Sequence, residues 1–335
     1  ALKEDRGFSE EQVTAAMEKA FFEPVEALEF GLIDQLMFWD ELVTALKSED
    51  DDRLKVVSHS RYAEVEPKDL DLKGKKKIAV IHAQGNIGGR KNGVDPLMGI
   101  MMGHESIVAE LRRALEDDDT AAIVLRIDSG GGESLASDLM GHMVDYVGQT
   151  KPVIISMVDV AASGGYVMAY RGTKIMADPT TVTGSIGSIT AKFDMSGFNE
   201  KVGLSTDHVS RGPNALIMAS DRPFTEEEAR MFGEDHWRGF RLWMDDVAKV
   251  RGIAATEIDS LCMGRVWTGS QAVANGLIDV LGDQHDAIQL AKTEAGLEAD
   301  EKVTVWHLPE KQGLLAGILG GDDAAAQAVN WAVYR

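Results

Sequence analysis

Alternating strand and helix patterns between residues 77 and 179 place the strongest limit on the fold of this chain. Short apolar runs rich in β-branched residues predict buried strands, and apolar residues at helical spacing predict amphipathic helices between them. The predicted strands are 77–87, 120–128, 151–159 and 174–179, and the predicted helices are 104–119, 134–149, one starting within 161–172, and 225–251. Such alternation favours an α/β fold with largely parallel strands.

An internal repeat indicates how the chain is organised. Residues 6–36 align without a gap on 251–281, an offset of 245. The identities are Arg6/Arg251, Gly7/Gly252, Ala27/Ala272, Gly31/Gly276, Leu32/Leu277, Ile33/Ile278, Asp34/Asp279 and Leu36/Leu281. We interpret the first segment as the end of an earlier copy of one domain. The predicted domains are a truncated first copy at 1–47, a charged linker at 48–76, a complete copy at 77–300 and a C-terminal tail at 301–335.

Composition excludes several classes of protein. The net charge of −21 argues against nucleic-acid binding, which needs clustered Lys and Arg. A single cysteine, Cys262, excludes an internal disulfide. No window has the uninterrupted apolar length of a membrane span, and no signal peptide opens the chain. The sequence begins at Ala1 rather than Met, within a charged stretch typical of the middle of a protein, which leaves room for a targeting segment upstream.

Two glycine-bearing turns follow consecutive predicted strands. The first is DSGGG at 128–132 and the second is AASGGY at 161–166. Backbone N–H groups at such strand-to-helix turns can bind negative charge. This pattern predicts a serine hydrolase with Ser163 as nucleophile and the N–H groups of Gly131 and Gly164 as oxyanion donors.

Other interpretations of the glycine turns differ in how well they fit. No Lys-Ser or Lys-Thr follows the glycines, so a phosphate loop is not indicated. The α/β-hydrolase pattern G-x-S-x-G fails because Ala161 stands at its first glycine. A crotonase-type oxyanion hole for acyl-CoA remains a competitor, and so does a simple tight turn.

The general base is not evident from the sequence. No histidine lies between His142 and His208, and Asp128 is more typical of a turn hydrogen-bonder than of a triad member. A lysine with a pKa lowered by burial is the other route, and a second hydroxyl usually holds such a lysine. Ser185, within TGSIGS, is the candidate for that hydroxyl. A Ser-His-Asp triad stays open, because triads are defined in space.

The order of these motifs resembles peptidase family S49, the signal peptide peptidase A (protease IV) family. The matching segments are IVLRIDSGGG, KPVIISMVDVAASGGYVMAY, IMADPTTVTGSIGSI and GRVWTGSQAVANGLIDVLG, and the resemblance covers residues 77–300. Residues 1–45 resemble the end of the N-terminal half in tandem, two-copy members. Gly130 departs from the pattern, since the family usually has proline there.

The resemblance implies a ClpP/crotonase-like fold, in which strand-strand-helix units form a spiral with largely parallel sheets. It also implies a Ser-Lys dyad, with Ser163 as nucleophile, Ser185 holding the lysine, and Gly131 and Gly164 forming the oxyanion hole. Single-copy members carry the lysine at the position that Ala215 occupies here. In tandem members the first copy supplies it, and the 245-residue offset then places it about thirty residues before Ala1. The alternative is that Lys174, Lys192 or Lys201 serves as base.

The expected activity is endopeptidase hydrolysis of hydrophobic peptides, such as cleaved signal peptides, without a metal or cofactor. The resemblance implies a homotetramer as the assembly. It also implies association with a membrane of the cell envelope, on the extracytoplasmic (periplasmic) side, through a segment outside this chain. An acyl-CoA enzyme of the crotonase type and a non-catalytic scaffold are the alternative functions.

Overall fold

The computed structural model describes residues 2–19, 21–47, 57–62, 65 and 73–310. Its contacts divide the chain into two compact units, Ala1–Asp69 and Leu70–Arg335. Most of the predicted linker 48–76, and residues 311–335 of the predicted tail, lie outside the described residues. The domain boundaries proposed from the sequence therefore stay predictions. No helix in the described part of the chain has the length and apolar content needed to span a membrane.

The first unit contains short helices. They are α1 (Leu2–Arg6), α2 (Glu10–Lys19), α3 (Pro24–Phe30), α4 (Trp39–Ala45) and α5 (His59–Tyr62). Helix α3 begins with proline, whose φ suits a first helical turn, and ends at Gly31 with φ 85°. The Phe8 and Phe30 rings meet edge to face, with centroids 5.6 Å apart.

The two segments related by the repeat make the same contacts, each within its own unit. Arg6 pairs with Asp34 at 2.7 Å, and Arg251 pairs with Asp279 at 2.7 Å. The two arginines also donate to equivalent carbonyls, Gly31 O at 3.3 Å and Gly276 O at 3.2 Å. An ion pair and a carbonyl contact that recur at one sequence offset support common ancestry of the segments.

An eight-stranded sheet forms the centre of the second unit. Its strands, in the order β10-β7-β6-β5-β1-β11 with β8 and β9 attached beside β6, are β1 (Lys76–Gln84), β5 (Thr120–Ser129), β6 (Val153–Ala162), β7 (Lys174–Ala177), β8 (Val182–Gly184), β9 (Val266–Thr268), β10 (Val280–Leu281) and β11 (Val303–Leu308). All pairings are parallel except that of β8 with β9. The prediction of an α/β fold with largely parallel strands is confirmed.

Helices cover both faces of this sheet. The helices of this unit are α6 (His104–Glu116), α7 (Ser134–Gly148), α8 (Gly164–Ala169), α9 (Ser196–Val202), α10 (Glu226–Arg251), α11 (Ile258–Leu261), α12 (Gly269–Ala274) and α13 (Gln284–Glu294), and of these α9 has no buried residue. Alternate residues of β1 enter different cores: Ile81 packs in the larger cluster with α6, α7 and α10, whereas Val80 packs in the smaller one with α13. Strands buried on both faces explain the continuous apolar runs in the sequence.

Three details differ from the sequence-based expectation. The strand predicted at 77–87 is divided at Gly85, which has φ 102° and where a Cβ would lie 2.4 Å from Ile100 O. Beyond it, β2 (Asn86–Ile87), β3 (Gly93–Asp95) and β4 (Gly99–Met102) form a small separate sheet. The region predicted as a tail from 301 starts with β11, which pairs with β1 along residues 303–308. These three features depend on contacts between residues that are distant in sequence, so local sequence patterns did not predict them.

Two histidines on adjacent strands lie against each other within the second unit. His82 Nε2 is 3.0 Å from His307 Nδ1, and the rings stack with centroids 5.3 Å apart. Burial, followed by the nearby His307 and Arg126, lowers the pKa of His82 to about 4. Burial also lowers the pKa of His307.

This pair is expected to make the fold sensitive to acid. The unfolded chain binds a proton at His82 below about pH 6.5, whereas the folded chain binds it only near pH 4. The contribution of neutral His82 to stability is therefore fully present above pH 6.5 and is lost as the pH drops towards 4. The free energy of unfolding should fall by roughly 2 kcal/mol between pH 7 and 5. Thermal unfolding of His82→Gln should lose much of this pH dependence. In contrast, His142→Gln, at an exposed position on α7, should keep it; equal pH dependence in both variants would contradict the assignment.

Candidate active site

Ser163 occupies a sharp turn between β6 and α8. Its φ of 52° and ψ of −119° are unusual for a residue with a side chain. Backbone bonds hold this conformation: the Ser163 N–H donates to Gly184 O at 2.9 Å, and the Ser163 carbonyl accepts from Tyr166 and Val167. A strained strand-to-helix turn of this kind presents a nucleophile in other hydrolases, and strain of this kind often marks a functional site.

The glycines after Ser163 are required by close packing. A Cβ on Gly164 would lie 2.4 Å from Ser137 Oγ, and one on Gly165 would lie 2.6 Å from Ser129 O. Helix α8 can approach β5 and α7 this closely only with bare backbone. The glycines can therefore serve close packing of the helix and, at the same time, leave a backbone N–H open to an oxyanion.

The two glycine turns meet in space. Ser129, at the end of β5, pairs with Ala161 of β6, and a Cβ on Gly131 would lie 2.5 Å from Gly164 N and 2.8 Å from Ser163 Cβ. The backbones of both predicted oxyanion donors thus lie beside the predicted nucleophile. In this structure the Gly131 N–H donates to Ser129 Oγ at 3.2 Å.

Ser185 approaches the same place from β8. That strand pairs with β6, which sets Gly184 opposite Ala162. Ser185 has φ 48°, and its N–H donates to Arg265 O at 2.7 Å. Ser163 and Ser185 both line one cleft of about 1230 Å³. The structure therefore brings the predicted site residues together, while their catalytic roles remain predictions.

Helix α10 supplies an aromatic wall to this cleft. The wall consists of Phe232, Trp237, Phe240 and Trp243. Neighbouring rings are in contact, with centroids 5.9 Å apart for Trp237 and Phe240 and 6.1 Å apart for Phe240 and Trp243. The indole of Trp237 is 54% exposed, so part of this apolar surface faces the cleft opening. An apolar wall suits hydrophobic side chains of a ligand.

A charged network lies at another part of the cleft wall. Asp246 accepts hydrogen bonds from Tyr170 Oη and from Arg171, both at 2.6 Å. Burial opposes ionisation, but these two bonds prevail and keep the pKa of Asp246 below its usual range. Burial and the bond to Asp246 raise the pKa of Tyr170. Asp246 therefore remains a carboxylate fixed between two donors, a poor candidate for a proton-transfer group.

One candidate base in the cleft, His236, was not predicted from the sequence. His236 of α10 lines the cleft, and its Nε2 lies 3.4 Å from Ser188 Oγ. It follows Phe232 by four residues, so helical spacing placed it on the same face as the aromatic wall. Among the residues that the structure describes, no lysine lines the cleft.

The other base candidates lie elsewhere. Lys174 is the first residue of β7, Lys192 Nζ lies 4.4 Å from the centre of the Phe224 ring, and Lys201 is on α9. Asp128 is paired with Gln84 across β5 and β1 and does not line the cleft. Its pKa is raised, mainly by burial. Within the described residues, no group of three or more His, Cys, Asp or Glu side chains is placed to hold a metal ion.

Comparison with known proteins shows the family. The model of peptidase family S49 matches residues 146–298. The chain is 37% identical to the chloroplastic serine protease SPPA of Arabidopsis thaliana over 321 residues, covering 94% of this chain and 47% of that protein. It is 31% identical over 248 residues to "Putative protease slr0021" of Synechocystis sp., covering 74% of this chain and 84% of that protein. The chain belongs to peptidase family S49, and its second unit has an α/β fold with a largely parallel central sheet.

Two further matches are to proteins that are named as proteases. Protease 4 of Haemophilus influenzae is 30% identical over 262 residues, covering 76% of this chain and 42% of that protein. The chain thus spans about half the length of the first curated relatives. Among solved structures, the 1510-N membrane-bound stomatin-specific protease matches with a TM-score of 0.45 and 15% identity, covering 70% of this chain and 99% of that one.

Proposed function

We propose that this chain carries the nucleophile and oxyanion hole of a serine endopeptidase that hydrolyses hydrophobic peptides, such as cleaved signal peptides. The observation that carries the proposal is the position of Ser163. It is held at φ 52° beside two glycine backbones, in a cleft with an aromatic wall. Protease names among the relatives support the same class of reaction.

The reaction would run through an acyl-enzyme. Ser163 Oγ attacks the scissile carbonyl as the base takes its proton, and N–H groups stabilise the negative oxygen. The proton then passes to the leaving amine, which departs as the ester forms. Water, deprotonated by the same base, attacks that ester, and the base returns the proton to Ser163 Oγ as the bond to the acid product breaks.

The base in this proposal is a lysine in a homologous copy that precedes residue 1. Three observations support it: no lysine among the described residues lines the cleft, the repeat indicates an earlier copy, and the first relatives are about twice as long. Ser185, in the same cleft as Ser163, would accept a hydrogen bond from the neutral lysine and hold it towards the nucleophile.

The proposal extends to assembly and location. We expect a homotetramer in which residues of different copies complete each site. We also expect association with a membrane of the cell envelope, on its extracytoplasmic side, through a segment outside residues 1–335. Sedimentation of the full-length protein in detergent tests the tetramer directly.

Hydrolysis of a quenched fluorogenic hydrophobic peptide tests the function. It should be measured on this chain and on the full-length protein that includes the preceding copy. We expect cleavage only by the full-length protein, because only it would contain the lysine. If residues 1–335 cleave equally well, the base lies within them, and loss of that cleavage in His236→Ala would identify His236.

Two other experimental results would contradict the proposed peptidase function and favour a different one. Stoichiometric binding of a CoA thioester without peptide cleavage would favour a crotonase-type acyl-CoA enzyme. Full-length protein that is inert towards serine-directed acylating reagents would indicate a non-catalytic scaffold.

A further inference from the structure

Ser129 connects the glycine turn to the end of the neighbouring strand. It is the last residue of β5 and is only 3% exposed. Its hydroxyl donates to Gly85 O at 2.6 Å, and its oxygen accepts from the Gly131 N–H at 3.2 Å. One buried hydroxyl therefore joins the turn between β1 and β2 to a predicted oxyanion donor.

The two hydrogen bonds of Ser129 have fixed directions. A hydroxyl has one proton, and the short bond to Gly85 O uses it. The lone pairs of Oγ are left to accept the Gly131 N–H. The direction of that amide is thus set by Ser129 rather than by the glycine backbone alone.

Gly85, whose carbonyl accepts the hydrogen bond from Ser129, has a tightly constrained backbone. Its φ of 102° and the 2.4 Å approach of its Cβ position to Ile100 O leave room only for glycine. The Gly85 N–H also donates to Asp128 O at 3.0 Å, which ties β1 to β5. Ser129 is therefore held against a backbone junction that has little freedom to move.

The carbonyl side of Gly131 is bonded, since its oxygen accepts from the Ile87 N–H at 2.9 Å, but the amide between Gly130 and Gly131 depends on Ser129. Gly130 is exposed, and a Cβ there would meet nothing within 4 Å. Three successive glycines lose much conformational entropy when they are ordered. The free energy of the hydrogen bond from the Gly131 N–H to Ser129 Oγ offsets part of that cost.

We propose that Ser129 is a positioning residue that orients the Gly131 amide for the oxyanion. The inference rests on the proposed function, since it concerns the same site. At 3.2 Å the bond to Ser129 is long for a neutral hydrogen bond. An N–H can be shared between two acceptors, so a developing oxyanion can draw this proton while Ser129 keeps its direction.

The Ser129 hydroxyl has two opposing effects on the reaction rate: it competes with the oxyanion for the Gly131 N–H, and it orients that N–H. The size of each effect decides which one prevails. As a competing acceptor, Ser129 could slow the reaction only about fivefold, the worth of one neutral hydrogen bond. As a positioning residue it controls a donor whose loss typically lowers kcat about 10²- to 10³-fold. The net effect of removing the hydroxyl should therefore be a slower reaction.

Ser129→Ala in the full-length protein tests the proposal. Active sites should be counted by titration with a fluorophosphonate, and kcat should be expressed per titrated site. We expect kcat to fall about 10- to 100-fold with KM changed less than about threefold. Faster hydrogen exchange in the peptide covering 126–133 should accompany this fall.

Ser156→Ala is the matched control. Ser156 is another buried serine of the same sheet, and its hydroxyl accepts from Arg126 at 3.2 Å rather than contacting the glycine turn. It should leave kcat per site within about twofold of the parent. A purely structural role of Ser129 would reduce the number of titrated sites and leave kcat per site unchanged.

The outcomes separate this inference from the proposed function. If the parent protein cleaves peptide and Ser129→Ala has an unchanged or higher kcat per site, the positioning role is wrong while the function stands. If the parent shows no cleavage that depends on Ser163, the proposed function fails and the inference fails with it.

Discussion

Ser163→Ala in the full-length protein is expected to lower kcat by about 10⁴-fold or more, because no other group can form the acyl-enzyme. KM should change little, since the cleft and its aromatic wall are untouched. The measurement is peptide hydrolysis at saturating substrate, together with covalent labelling by a fluorophosphonate. Labelling should disappear in the variant.

Two companion variants make this result specific. Ser163→Gly should be equally inactive but at least as stable as the parent in thermal unfolding, because glycine adopts φ 52° without strain. Ser156→Ala, on β6 and outside the cleft lining, should retain kcat. Residual activity above about 1% in Ser163→Ala would point to a different nucleophile.

Gly131→Ala is expected to lower kcat by about 10²- to 10³-fold, the usual loss when one oxyanion donor is removed. The added methyl would lie 2.5 Å from Gly164 N, and φ 103° is unfavourable for alanine. The turn must therefore shift and take its amide away from the developing oxyanion. Hydrolysis kinetics of the full-length variant, with separate kcat and KM, measure the effect.

The adjacent glycine provides the control for that change. Gly130 has open space at its Cβ position, and its φ is not among the positive values found along the chain. Gly130→Ala should therefore keep kcat within about threefold and unfold at the same temperature or slightly higher. Equal losses in both variants would show that the turn tolerates no side chain at all, which would contradict a specific role for Gly131.

The core strands and helices were predictable because their patterns are local. The run at 120–128 became β5 (Thr120–Ser129), and the helix predicted at 225–251 became α10 (Glu226–Arg251). Thr225 caps that helix, with its side chain accepting from the Glu228 N–H. In each case apolar spacing and capping chemistry agree with the tertiary fold.

Other parts of the site could not be predicted, because they depend on contacts across the fold. The approach of His236 to Ser188 joins α10 to the loop after β8. The bond from Gly131 to Ser129, although local in sequence, depends on a strained turn that composition does not specify. Three glycines predict a turn, but they do not predict where its amides point.

The order of strands has a consequence for how the chain folds during synthesis. Strand β1 pairs with β5 on one side and with β11, at residues 303–308, on the other. A nascent chain can assemble the nucleophile turn once β6 and β8 have emerged, yet one edge of β1 stays unpaired until β11 arrives. Contacts this distant in sequence slow folding, and an open parallel edge invites pairing with other chains. We therefore expect a chain that ends before residue 303 to aggregate even though it contains every predicted site residue.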